Sequence, residues 1–215
     1  MQPVLLFLVA LTALTLNGRA AETPAAASGT NTTALLLIDI QNFYFPCGKM
    51  PLAEPEAAGR AARRLLDDFR ARRQPVIHIQ HLPRDQAKPS PDQGDPQYQI
   101  HADVRPLPGE TVIGKHQASA FRDTDLLATL RRLGVRRLVI AGMQTHMCVE
   151  AATRAAADHG FDVIVVHDAC ATRPLEFNGV TVAARDVHAG ALAALRDAYA
   201  KVLSTDETLR QLNPH

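Results

Sequence analysis

The run Ala34-Leu35-Leu36-Leu37-Ile38 is apolar at every position and lacks the alternation of a strand that keeps one face in water. A strand of that kind needs cover on both faces, as a central strand of a parallel sheet has. Parallel neighbours cannot be joined by tight turns and require crossovers, usually helices. The rest of the chain supplies them. Glu54 to Arg73 places Ala58, Ala61, Leu65 and Phe69 on one helical face with arginines opposite. Pro75 to His81 reads as the next strand, Thr111-Val112-Ile113 as a third, and Asp123 to Leu133 as a helix closed by Gly134. Arg136 to Ala157 reads as a buried strand, a turn at Gly142 and a helix with Thr145 as its N-cap. Asp162 to Asp168 is a further strand, Val180 to Tyr199 a long amphipathic helix, and Val202-Leu203-Ser204 an edge strand before a short terminal turn. This order predicts a doubly wound, mainly parallel six-stranded sheet with helices on both faces, a three-layer α/β/α fold. Leu82 to Pro108 and Ala169 to Asn178 are expected to be loops, the first long enough to cover a binding site.

In a parallel sheet all carboxyl ends of the strands lie on one edge, where such sheets bind ligands. Three chemically capable side chains fall just past predicted strands: Asp39, Lys115 and Cys148. A lone lysine is usually a solvated charge, an aspartate a turn former and a buried cysteine a small core residue. Together they can supply a nucleophile, a base for its proton and a cation between them. The first turn of a helix also favours thiolate over thiol, which is where Cys148 is expected. The aromatic pair Phe43 and Tyr44 reads as pocket wall, and His81 ends its strand at the site's border. His78 and His81 are three positions apart on a strand, so they point to opposite faces and cannot share a metal ion.

Val4 to Leu16 is an apolar run too short to span a bilayer and of the length of a signal-peptide core. Residues 1–20 are therefore read as a signal peptide cleaved after Ala20, with an uncleaved anchor as the alternative. Residues 21–33 are a flexible leader and 34–215 the folded domain. The mature protein is expected to be exported, to the periplasm or beyond, with no membrane partner. Net charge is +1 with no basic run or acidic tail, which argues against nucleic acid. Of three cysteines, Cys47, Cys148 and Cys170, at least one has no partner within the chain. A Cys47–Cys170 bridge would spare Cys148; both could equally be reduced. No Cys-x-x-Cys supports a thiol redox protein, and no Gly-x-Gly-x-x-Gly a dinucleotide site.

Three ordered motifs carry a resemblance. Leu37-Ile38-Asp39-Ile40-Gln41, Gly114-Lys115 with Ser119-Ala120-Phe121, and Ala141-Gly142-Met143-Gln144-Thr145 with Met147-Cys148-Val149-Glu150 are similar to those of the isochorismatase-like cysteine hydrolases, over roughly Ala34 to Ser204. The resemblance implies Asp39 as general base, Lys115 as catalytic lysine and Cys148 as nucleophile. It also implies a cis Met143-Gln144 peptide that aims the backbone N–H groups of Gln144 and Cys148 at an oxyanion. Gln41, Phe43, Tyr44, His81, Phe121 and His146 are then expected around the substrate. The Asp-x-His metal motif of nicotinamidases is missing from His81-Leu82-Pro83-Arg84-Asp85, so no metal and no cofactor is expected. The implied function is hydrolysis of an amide, ureido or lactam C–N bond in a small molecule through a thioester. The alternatives are hydrolysis of an isochorismate-type vinyl ether and a non-catalytic binding protein of the same fold. Assembly into homo-oligomers is expected from the family.

Overall fold

The computed structural model describes residues 32–90 and 94–213. The expected signal peptide and most of the leader lie outside the described residues. Strand β1 (Thr32–Ile38) begins two residues before the expected domain start and is followed by α1 (Pro55–Ala71), β2 (Val76–His81) and β3 (Thr111–Lys115). Next come α2 (Leu126–Arg132), β4 (Val135–Met143), a π-helical turn (Thr145–Val149) and α3 (Glu150–Asp158). Strand β5 (Asp162–Ala171), β6 (Leu175–Phe177), β7 (Val180–Val182), α4 (Ala184–Ala198), β8 (Lys201–Leu203) and α5 (Thr205–Leu212) complete the order.

Six strands form one sheet in the order β3-β2-β1-β4-β5-β8, parallel throughout. The fully apolar β1 is central, paired with β2 through Leu35–Val76 and with β4 through Leu36–Ile140. Its side chains divide between two cores. Leu35 and Leu37 pack with Ala58, Leu65 and Phe69 of α1, against which Leu209 and Leu212 of α5 also rest. Leu36 and Ile38 pack with Leu126 and Leu130 of α2, Ala152 and Ala156 of α3, and Leu192 and Leu195 of α4. The structure is therefore the three-layer α/β/α arrangement, with α1 and α5 on one face and α2, α3 and α4 on the other.

Several local expectations are corrected. Thr145 does not cap a helix from outside. It already lies in the π turn, where the N–H of Val149 reaches back to the carbonyl of Gln144 at 3.2 Å, and its hydroxyl bonds His188 Nδ1 at 2.9 Å. Strand β5 runs on past a register shift against β4, so Cys170 pairs with Gly142 in the sheet and is not in a loop. The expected start of the long helix at Val180 is instead an antiparallel hairpin of β6 and β7. Asn178 and Gly179 turn it, with φ of 51° and 76°. Two successive positive φ values match the hairpin twist and suit an Asn-Gly pair. The terminal turn is a full helix, α5, held by a capping box in which Ser204 and Glu207 exchange hydrogen bonds. All three cysteines are free thiols, Cys47 exposed and Cys148 and Cys170 buried, so the Cys47–Cys170 bridge is absent.

One half-buried network fixes β3, the strand that ends in Lys115. Glu110, just before β3, accepts from Arg70 of α1 at 2.7 and 2.8 Å, from the N–H of Leu107 at 2.9 Å, and lies 2.9 Å from His78 Nε2 of β2. Burial works against the Glu110 charge, but these donors, led by Arg70, hold its pKa down at about 2 instead of 4.5. A depressed carboxyl pKa contributes stability above its unfolded value and loses it as pH falls through the folded one. Glu110→Gln is therefore expected to cost about 1.5–3 kcal/mol near pH 6, the range for hydrogen bonds to a charged group. Urea unfolding at a series of pH values should show that gap narrowing below about pH 4.5; a gap that stays constant to pH 3 would refute the assignment.

Candidate active site

The site is built on the carboxyl ends of β1, β3 and β4. Asp39 follows β1 with φ of 51°, its N–H held by Ile79 O at 3.0 Å, and it is fully buried. Asparagine and aspartate tolerate this left-handed region better than other side chains. Lys115 is the last residue of β3, in register with His81 of β2, and is 1% exposed. Cys148 stands in the π turn after β4, 5% exposed. The peptide Met143–Gln144 that leads into this turn is cis. Gly142 just before it has φ of 142°, and a Cβ there would lie 2.0 Å from Ile38 O, so β4 can approach β1 here only with glycine.

These elements bring three side chains together. Lys115 Nζ lies 2.7 Å from Asp39 Oδ2 and 3.3 Å from Cys148 Sγ, and donates to Gln117 O at 2.9 Å. His81 Nδ1 is 3.5 Å from the same nitrogen. Burial opposes the Lys115 charge, but the Asp39 carboxylate and Cys148 outweigh it and raise the lysine's pKa above its ordinary value. Burial and then the Asp39 carboxylate push the Cys148 thiol up to about 12, against the pull of Lys115. This corrects the expectation of a resting thiolate: a second negative charge beside a buried carboxylate is disfavoured, whatever the helix N-terminus offers. The resting site holds one ion pair and one thiol.

A cavity of about 430 Å³ opens on this group. Phe43, Tyr44, Met50, Tyr98 and Met147 make its apolar walls, while His81, His116, Lys49, Gln144 and Cys148 supply polar groups. Phe43 and Tyr98 face each other with ring centroids 5.5 Å apart. Burial and the nearby Asp39 hold the Tyr44 phenol above its ordinary pKa, so its proton stays on. Burial likewise lowers the pKa of His81, so it is neutral near pH 7.

Three residues expected around the substrate are elsewhere. Gln41 is fully buried behind the wall, where its side chain bonds the backbone of His81 and the carbonyl of Tyr98 at 2.5 Å, fixing both wall residues from behind. Phe121 packs, half-buried, against exposed His159 and half-buried Phe161 at the margin of the core beside α2 and α3. His146 turns away from the cavity to Thr172, Nδ1 to Oγ1 at 2.5 Å. Sequence reasoning missed Met50 and did not single out Tyr98 within the Leu82 to Pro108 segment expected to cover the site, since neither has a strand-end position to mark it. A larger hollow of about 600 Å³, lined by Cys170, His167, His188 and alanines of α1 and α4, is not lined by Asp39, Lys115 or Cys148. Among the described residues no cluster of three metal-binding side chains forms, and no helix is long and apolar enough to cross a membrane.

Comparison with known proteins matches this architecture. A solved isochorismatase-family structure from Oleispira antarctica superposes with a TM-score of 0.79 at 47% identity, covering 86% of this chain and 99% of that one. The uncharacterised isochorismatase family protein YddQ of Bacillus subtilis is 45% identical over 83% of this chain and 99% of its own. Streptothricin hydrolase of Streptomyces noursei is 34% identical over 69% of this chain and 58% of its own length. The isochorismatase domain profile matches residues 33–207, from the second residue of β1 into α5, a span that includes Asp39, Lys115 and Cys148. With nearly the whole described fold inside that match, the chain belongs to the isochorismatase family of hydrolases.

Proposed function

We propose that this protein is a cysteine hydrolase that cleaves a C–N bond, amide, ureido or lactam, of a small molecule through a thioester. The observation that carries the reading is Lys115 Nζ standing 2.7 Å from a buried carboxylate and 3.3 Å from a buried thiol at the mouth of one cavity. Because Cys148 rests as a thiol, Asp39 takes its proton as Sγ attacks the carbonyl carbon. The oxyanion forms against the backbone N–H groups of Gln144 and Cys148. Asp39 then passes the proton to the leaving nitrogen, the C–N bond breaks, and a thioester remains. Water, deprotonated by Asp39, attacks the thioester; the acid leaves and the thiol is restored. Lys115 stays charged throughout and offsets the negative charge as it moves from carboxylate to sulfur and back.

Two broader expectations join this reading. Homo-oligomers are supported by the exposed apolar hairpin, where Phe177 is 76% and Val180 63% exposed, near the alanine-lined hollow. Export, to the periplasm or outside, rests on the apolar run Val4 to Leu16.

The test is a panel of small amides, ureas and lactams assayed for ammonia or amine release, with rapid acid quench and peptide mapping. Hydrolysed substrates should leave an acyl mass on the peptide containing Cys148. Amine release without any adduct there, under quench times shorter than a turnover, would sink the thioester scheme.

A further inference from the structure

The side chain of Gln144 has no role in the mechanism above, which uses only its backbone. It is nonetheless placed in the wall of the active cavity and is 4% exposed. Its Nε2 donates to Tyr44 Oη at 3.3 Å and to the thioether of Met50 at 3.4 Å, both long contacts and the second to a weak acceptor. Its carbonyl Oε1 is buried with no hydrogen-bond partner among the described residues. A buried acceptor left unmatched costs more than a hydrogen bond returns, so native proteins rarely keep one without use. Turning the carboxamide over would leave two N–H groups unmatched in place of one carbonyl, so the unmatched group is the acceptor. Rotation about the terminal Cγ–Cδ bond is soft, and a partial turn swings Oε1 toward the cavity at the cost of only the two long Nε2 contacts. Tyr44, whose oxygen accepts from Nε2, still has its own proton to donate.

We infer that the Gln144 carboxamide is a specificity-determining group that hydrogen-bonds an N–H beside the substrate carbonyl, so the site takes amides and ureido compounds over esters of the same shape. An ester oxygen in that place has no proton and would meet Oε1 with a second acceptor. This rests on Cys148 being the nucleophile of the proposed hydrolase.

The experiment uses two thiol-directed probes of equal size, N-methyl-2-iodoacetamide and methyl iodoacetate, which differ in N–H against O. In each, the thiol proton is lost to solvent, the Sγ–C bond forms as C–I breaks, and iodide leaves. Site-resolved mass spectrometry gives the amide-to-ester rate ratio at Cys148, with the exposed Cys47 of the same molecule as reference for intrinsic reactivity. The ratio at Cys148 is expected to exceed that at Cys47 by about tenfold, the effect of one matched hydrogen bond in a buried site. In Gln144→Met it should fall to the Cys47 value. Equal ratios at the two thiols of the unaltered protein, or a ratio unmoved in Gln144→Met, would overturn the role of Gln144 and leave the hydrolase reading intact. No labelling of Cys148 by either probe would overturn both.

Discussion

Asp39→Asn is expected to make Cys148 easier to alkylate and the enzyme far slower. The Asp39 carboxylate is, after burial, the largest influence holding the Cys148 thiol up at about 12. Removing that negative charge favours the anion, and the unpaired Lys115 ammonium 3.3 Å away then stabilises a thiolate. Iodoacetamide labelling of Cys148 near pH 7.5 should therefore accelerate, and its pH profile should shift to lower pH. Turnover should fall by about 10²–10⁴-fold, because no base remains to carry the proton to the leaving nitrogen or to activate water. The two opposite changes separate Asp39 as a base from Asp39 as a structural residue. If labelling slows in step with turnover, the assignment fails.

Lys115→Met should act in the reverse sense on the thiol and heavily on stability. Its ammonium is the group that pulls the Cys148 pKa down, so labelling should slow. It is also the counter-ion of a carboxylate with no exposure at all. Breaking a buried pair by removing one partner costs about 3–5 kcal/mol, whereas removing both can be near neutral. Urea denaturation should show that loss in Lys115→Met and its partial recovery in the Asp39→Asn, Lys115→Met double variant. A double variant no more stable than Lys115→Met alone would show that the two charges do not compensate each other.

The parts of this protein that sequence made legible are those with a local physical signature. An apolar strand with no alternation announced the centre of a parallel sheet, and β1 is that strand. Asp39, Lys115 and Cys148 were visible because each follows a strand, and strand ends share an edge. What escaped depends on distance in sequence. Tyr98 reaches the cavity because Gln41, 57 positions earlier, takes its carbonyl, and no local pattern encodes that bond. Phe121 sits within a recognisable motif, yet it packs against Phe161 and His159 at the margin of the core, away from the cavity. The thiol's charge state was misjudged because a helix terminus is a local feature, whereas the opposing carboxylate arrives from β1. The hairpin was a different failure. Asn178-Gly179 between Leu175-Glu176-Phe177 and Val180-Thr181-Val182 is a strong turn signal, but the long amphipathic pattern after it took precedence.

The distribution of Asp39, Lys115 and Cys148 over the ends of β1, β3 and β4 has a kinetic consequence. Strand β4 pairs with β1 across two strands and two α-helices of intervening chain, and β2 stands between β3 and β1 in the sheet. Every pairing among them is a long-range closure, the slow kind of contact in folding. No local segment can hold the ammonium between carboxylate and sulfur before all four strands have paired. The arrangement that the proposed hydrolysis needs thus arrives late and all at once: a half-assembled chain carries the thiol without the carboxylate and ammonium beside it.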